Sequence, residues 1–175
     1  MEYLADNTVL SNLAAVGRLD LLRQLLGRAH VAEEVRLEVW AGIEAGYEFQ
    51  RDTLSATTGK DPWLLVASMA EEERLVADQL MGALHHGECA SIAICARRHW
   101  TFLTDDWLAR RRAEECGVKV SGSVGVLRLG AELGLLEASE ADALLAQMIA
   151  AGYRAPVDTI SELLGETART DEATV

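Results

Sequence analysis

The chain has 175 residues, half of them apolar and a quarter charged, with a formal net charge of −12. This is the composition of one globular domain with a sizeable core, and no apolar run reaches the roughly 18 residues of a membrane helix. The charge argues against a broad phosphate-binding face, because nucleic-acid affinity is largely electrostatic. It still allows acids grouped around a divalent cation, which would neutralise them locally.

The opening MEYLADN is acidic and lacks the basic-then-apolar pattern of a signal peptide. Cys89, Cys95 and Cys116 are odd in number and lie within helical patterns. A cytoplasmic protein with reduced, mostly buried thiols is the expectation.

Tyr3 to Ala5 suits a buried strand ending at Asp6, after which Asn7 or Thr8 can cap a helix carrying Val9, Leu10, Leu13 and Val16. Gly17 stops it. Leu21, Leu22, Leu25 and Leu26 follow at helical spacing behind Asp20, and Ala29 to Val31 reads as a second short strand. Between Ala32 and about Ala45 a helix presents Val35, Val39 and Ile43 on one face. Glu38 borders that face, where a carboxylate is expensive unless paired. Glu48 to Lys60 is polar and Thr-rich and reads as a helix end and loop.

Beyond Asp61-Pro62, Trp63 to Val66 is a strand, and Met69 to Leu84 is a helix with acids in its first turn. His85-His86-Gly87-Glu88 interrupts the pattern, and helical spacing resumes through Cys89, Ile92 and Ala96 to Arg97-Arg98. Trp100 to Leu103 is a strand, Trp107 to Cys116 a helix, and Val118 to Val120 another strand. Gly122-Ser123-Val124-Gly125 turns into a helix that Gly134 ends, and Ser139 caps a further one bearing Ala141, Leu144, Leu145 and Met148. A last helix at Pro156 to Leu164 precedes a small, polar tail, expected to fray. Strands alternating with helices predict an α/β fold with a mostly parallel sheet covered on both faces.

In such folds, acids beyond strand ends and at helix starts can converge above one edge of the sheet. Asp6, Asp105 and Asp106 follow strands, Glu88 opens a helix and Glu38 lies within one. Each has a plain reading as well: a helix cap, a dipole-facing acid, an edge-of-helix glutamate. As oxygen-only ligands they suit Mg²⁺ or Mn²⁺ rather than zinc. The Gly122–Gly125 turn lacks the lysine-Ser/Thr ending of a phosphate loop, which favours a tight strand-to-helix turn over nucleotide binding. Arg110, Arg111 and Arg112 form the only dense basic run, either a solvated helix face or a phosphate contact. Neither zinc spacing among the thiols nor a Gly-x-Ser-x-Gly elbow occurs.

Four segments, LADNTVLSNLAAVGRLDLLRQLLG, VAEEVRLEVWAG, HHGECASIAICA and LTDDWLARRRAEECGVKVSGSVGVL, occur in an order that resembles the PIN-domain family. The resemblance is to its toxin-like branch of predicted nucleic-acid-binding (VapC-like) proteins and spans most of residues 1–155, leaving 156–175 as a C-terminal helix and tail. It implies a three-layer α/β/α PIN-like fold and a metal-dependent endoribonuclease using Mg²⁺ or Mn²⁺. By motif position the metal ligands are Asp6, Glu38, Glu88 and Asp105, with Asp106 able to replace Asp105 and Thr104 supplying a hydroxyl. The resemblance further implies an RNA substrate, a small antitoxin protein as partner, and a homodimer. The competing expectation is a catalytically inactive PIN-like module that binds a partner protein or nucleic acid.

Overall fold

Runs such as LLVA and TFL, apolar on both faces, belong in a sheet covered on both sides. The structure is a computed structural model and describes residues 2–165. It forms five such strands: β1 (Tyr3–Ala5), β2 (Ala29–Ala32), β3 (Leu64–Ala67), β4 (Thr101–Leu103) and β5 (Val120–Ser121). All pair in parallel, in the order β3-β2-β1-β4-β5. The sheet is therefore wholly parallel.

The helices between the strands are α1 (Asn7–Ala15), α2 (Asp20–Leu26), α3 (Glu33–Glu44), α4 (Gln50–Thr58), α5 (Glu71–Leu80), α6 (His86–Arg98), α7 (Trp107–Glu115), α8 (Ser123–Glu132) and α9 (Ala138–Ala150). Right-handed crossovers divide them between the faces. On one face, α1 packs against α4, α8 and α9, and α2 against α8. On the other, α6 lies across β1, β2 and β4, flanked by α5 and α7, while α3 touches α1, α4 and α6. Leu10, Leu13, Leu21 and Leu22 from the first face and Ile92 and Ile94 from the second are fully buried, each worth roughly 1.5–3 kcal/mol. Among the described residues no helix is long and apolar enough to cross a membrane.

Several expectations need correcting. The loop predicted within Glu48–Lys60 contains α4. Its inward face is Gln50, Thr53 and Ala56, so the helix is buried through polar side chains and leaves no apolar periodicity to read. The cap of α1 is Asp6 rather than Asn7 or Thr8. Glu137, not Ser139, holds the cap position of α9, without a side-chain hydrogen bond. Finally, β5 begins two residues late, at Val120, because Gly117 (φ +74°) still belongs to the turn that closes α7.

The last helix is also shorter than Pro156–Leu164, beginning at Ile160. Asp142 anchors it, accepting from the Ile160 and Ser161 amides and the Ser161 hydroxyl. Residues 166–175, the expected tail, lie outside the described residues.

One ionic strap crosses the second face. Glu73, only 4% exposed, accepts from Arg98 Nε (2.6 Å) and Nη2 (2.7 Å) and from the Ala70 amide. Arg98 also donates to the Ser68 carbonyl and lies over the Trp100 ring. The guanidinium bonds hold the Glu73 carboxyl below its usual range, against the opposing cost of burial.

Candidate active site

The chain leaves β1 for β2 and β3, then returns to β4 on the other side of β1. That reversal opens a crevice beyond the carboxyl ends of β1 and β4, where open α/β sheets bind ligands. Asp6 follows β1, and Thr104, Asp105 and Asp106 follow β4.

Asp6 is 2% exposed. Its Oδ1 accepts from the Thr8 amide (2.9 Å), the Thr8 hydroxyl (2.6 Å) and the Val9 amide (3.2 Å), which caps α1. Its Oδ2 accepts from the Thr104 hydroxyl. Burial nevertheless raises the carboxyl from 3.8 to about 7; the hydrogen bonds oppose the rise and the Asp105 charge adds to it. Thr104 is fully buried, and its Oγ also accepts from the Asp106 amide (3.1 Å), linking the ends of β1 and β4.

The two adjacent acids have different surroundings. Asp105 accepts four hydrogen bonds: from Asn12 Nδ2 (2.8 Å), the Ser123 amide (2.9 Å), the Ser123 hydroxyl (2.5 Å) and the Tyr153 hydroxyl (3.0 Å). Its own amide donates to Thr8 Oγ. A Cβ on Gly122 would meet Asp105 Oδ1 at 2.5 Å, so that glycine is required for clearance, not for an unusual φ. Asp106 caps α7 by accepting the Ala109 amide at Oδ1 (2.8 Å), and its Oδ2 has no hydrogen bond among the described residues.

Glu88 and Glu38 complete the set from the second face. Glu88, in the first turn of α6, accepts from the His85 amide (2.9 Å). Its carboxyl is raised mainly by burial, with smaller contributions from the negative charges of Asp106 and Glu38. Glu38 reaches from α3 to the Gly87 amide at 3.1 Å. A Cβ on Gly87 would lie 2.6 Å from Glu38 Oε1 and 2.8 Å from Val35 Cγ2, so glycine permits this approach of α3 to α6.

The fold thus joins Asp6 to Asp105 through Thr8 and to Asp106 through Thr104, while Glu88 feels both Asp106 and Glu38. Carboxylates gathered in an oxygen-only setting, with Asp6 and Glu88 raised chiefly by burial, fit a hard divalent cation in their chemistry. Among the described residues, however, no group of three or more acids, histidines or cysteines is placed so that it could hold a metal ion.

A cleft of about 330 Å³ runs along Asp105 and Asp106, walled by Asn7 and Ser11 of α1 and by Tyr153 and Arg154 after α9. A neighbouring hollow of about 410 Å³ is lined by Glu38, His85 and His86. The basic run of α7 is already engaged, Arg110 at the edge of the site and its neighbours away from it. Arg110 donates to the Thr104 carbonyl, and Arg111 and Arg112 pair with Glu115. Sequence reasoning missed Asn12, Ser123 as a partner of Asp105, and Tyr153. Only Ser123 carries a visible signal, its place in the turn between β5 and α8.

The class that the fold and site define is an all-parallel α/β domain with acids gathered at the switch point. The chain belongs to the PIN-domain family, whose family model, described as "PIN domain", matches residues 2–169. No curated protein matches the chain.

Proposed function

We propose that the protein is a metal-dependent endoribonuclease, hydrolysing RNA phosphodiesters at the crevice beyond β1 and β4. The observation that carries this reading is the gathering of the acids: Thr8 and Thr104 tie Asp6 to the backbone of Asp105 and Asp106, and Asp6 and Glu88 are raised, chiefly by burial, beside further carboxylates. Groups this costly to ionise together are relieved by a bound cation. Glu38, Glu88 and Asp106 would hold Mg²⁺ or Mn²⁺, with Asp6 and Asp105 ligands only if each gives up hydrogen bonds. When bound, the metal supplies an acidified water as nucleophile and neutralises charge on the phosphate. Thr104 keeps Asp6 oriented and fixes the backbone at Asp106. A toxin of a toxin–antitoxin pair is the biological setting we favour, held by a small antitoxin protein and working as a homodimer. The exposed Leu37 and Trp40 on α3 favour a protein contact there.

One observation favours a second reading, a catalytically inactive module that binds a partner protein or nucleic acid. Asp105 is already satisfied by four donors, as in a structural carboxylate.

Melting with and without millimolar Mn²⁺, followed by RNA cleavage, separates the two. The wild type should gain several degrees with Mn²⁺, by ligand linkage. Asp6→Asn and Asp106→Asn should lose that gain and the cleavage. Asp106→Asn should fold normally, since Asn also caps helices. Asp105→Asn should melt lower but keep part of the metal response. Equal RNA cleavage by the wild type and all three variants would sink the enzyme reading.

A further inference from the structure

The polar wall of the cleft suggests how a strand would be held beside acids that repel it. Among the residues lining the cleft, Arg154 is the only cation. It is exposed and has no ion pair or hydrogen bond among the described residues. The arginines of α7, by contrast, are occupied by Thr104 and Glu115. The preceding residue fixes Arg154 in place: Tyr153 is half-buried, its amide donates to the Met148 carbonyl, and its hydroxyl donates to Asp105 Oδ1.

The opposite wall is oriented as well. Buried Gln50 donates to Asn7 Oδ1 (3.3 Å) and Ser11 Oγ (3.1 Å), and Ser11 donates to the same Asn7 oxygen. These bonds hold Asn7 and Ser11, which both line the cleft, in place.

We propose that Arg154 binds a backbone phosphate of an RNA strand lying in this cleft, with Tyr153 as the positioning residue that latches the Arg154 loop to Asp105. The proposal rests on the nuclease reading for the identity of the strand. Chemically it needs only an anion to balance Arg154. It also gives Asp105 a role distinct from metal binding: the carboxylate joins α1, the start of α8 and the loop after α9 into one cleft.

The test is binding of a fluorescent single-stranded RNA 12-mer by anisotropy, with EDTA present so that cleavage cannot interfere. Arg154→Ala should weaken binding about tenfold and make the plot of log affinity against log salt shallower by about 0.7, the release expected for one phosphate contact on a single strand. Arg154→Lys should recover most of the affinity. Tyr153→Phe should weaken binding, and in its background Arg154→Ala should cost clearly less, because the two act as a unit. Equal binding by wild type and Arg154→Ala, full additivity of the two substitutions, or no RNA binding by the wild type at low salt would each overturn the proposal. A wild type that binds RNA as described but does not cleave it with Mn²⁺ would overturn the nuclease reading and leave this one standing.

Discussion

Asp6 links the residue scale to measurable stability. Its carboxyl ionises near 3.8 when unfolded and near 7 in the fold. Between those values the folded chain holds a proton that the unfolded chain has released, so stability is highest below about pH 4 on this account. It falls as pH rises through 7 and stays low above. From pH 5.5 to pH 8, without metal, the wild type should lose on the order of 2 kcal/mol from this group. Asp6→Asn carries no such proton and should lose much less. Urea titrations at the two pH values decide it, and parallel losses in both proteins would mean that Asp6 is not ionised at such cost. The residue's position beyond the first strand was legible in the sequence. Its depth was not, since exposure depends on β4 and α1 closing over it. The same holds for Asp105, whose donors come from 93, 18 and 48 residues away and follow no period.

At the scale of elements, the contact of α3 with α6 is the sharpest joint. Gly87→Ala would place a methyl against Glu38 and the core side chain Val35, costing about 1–3 kcal/mol by overpacking. If Glu38 serves the site, cleavage per folded molecule should fall at least tenfold as well. Normal turnover in the folded fraction would remove Glu38 from the machinery. The Glu73–Arg98 strap makes a separate prediction. Arg98→Ala leaves Glu73 buried and unpaired, and should cost roughly 2–4 kcal/mol in chemical denaturation. A loss within 0.5 kcal/mol, in the range of ordinary surface changes, would show that Glu73 finds water instead.

Most element types were readable from period and turn residues, because Leu, Val and Ile mark the inward faces of α1, α2, α3 and α9. The exception was α4, where Gln50 and Thr53 do the burying. Nothing in a polar, Thr-rich stretch distinguishes such a helix from a loop.

For the whole molecule, the excess of acids over bases opposes any polyanion, and attraction is confined to a few places such as Arg154. The salt dependence of RNA binding by the wild type should therefore be shallow, close to one contact's worth, where a basic protein touching 6–10 phosphates loses about 10³–10⁵ in affinity between 50 and 200 mM salt. A steep slope measured by the same anisotropy titration would reveal a basic face that the described residues do not present. The family resemblance carried the fold class further than composition could. A charge of −12 does not point to a nucleic-acid enzyme, whereas the order of four short segments did.

The place of β1 has a consequence for the newborn chain. β1 is the central strand of the sheet, and its neighbour β4 begins 98 residues after it. Asp6 therefore leaves the ribosome long before Thr104 can cover it, and Asp105 waits a further 48 residues for Tyr153. The crevice cannot be completed until nearly the whole domain has been translated.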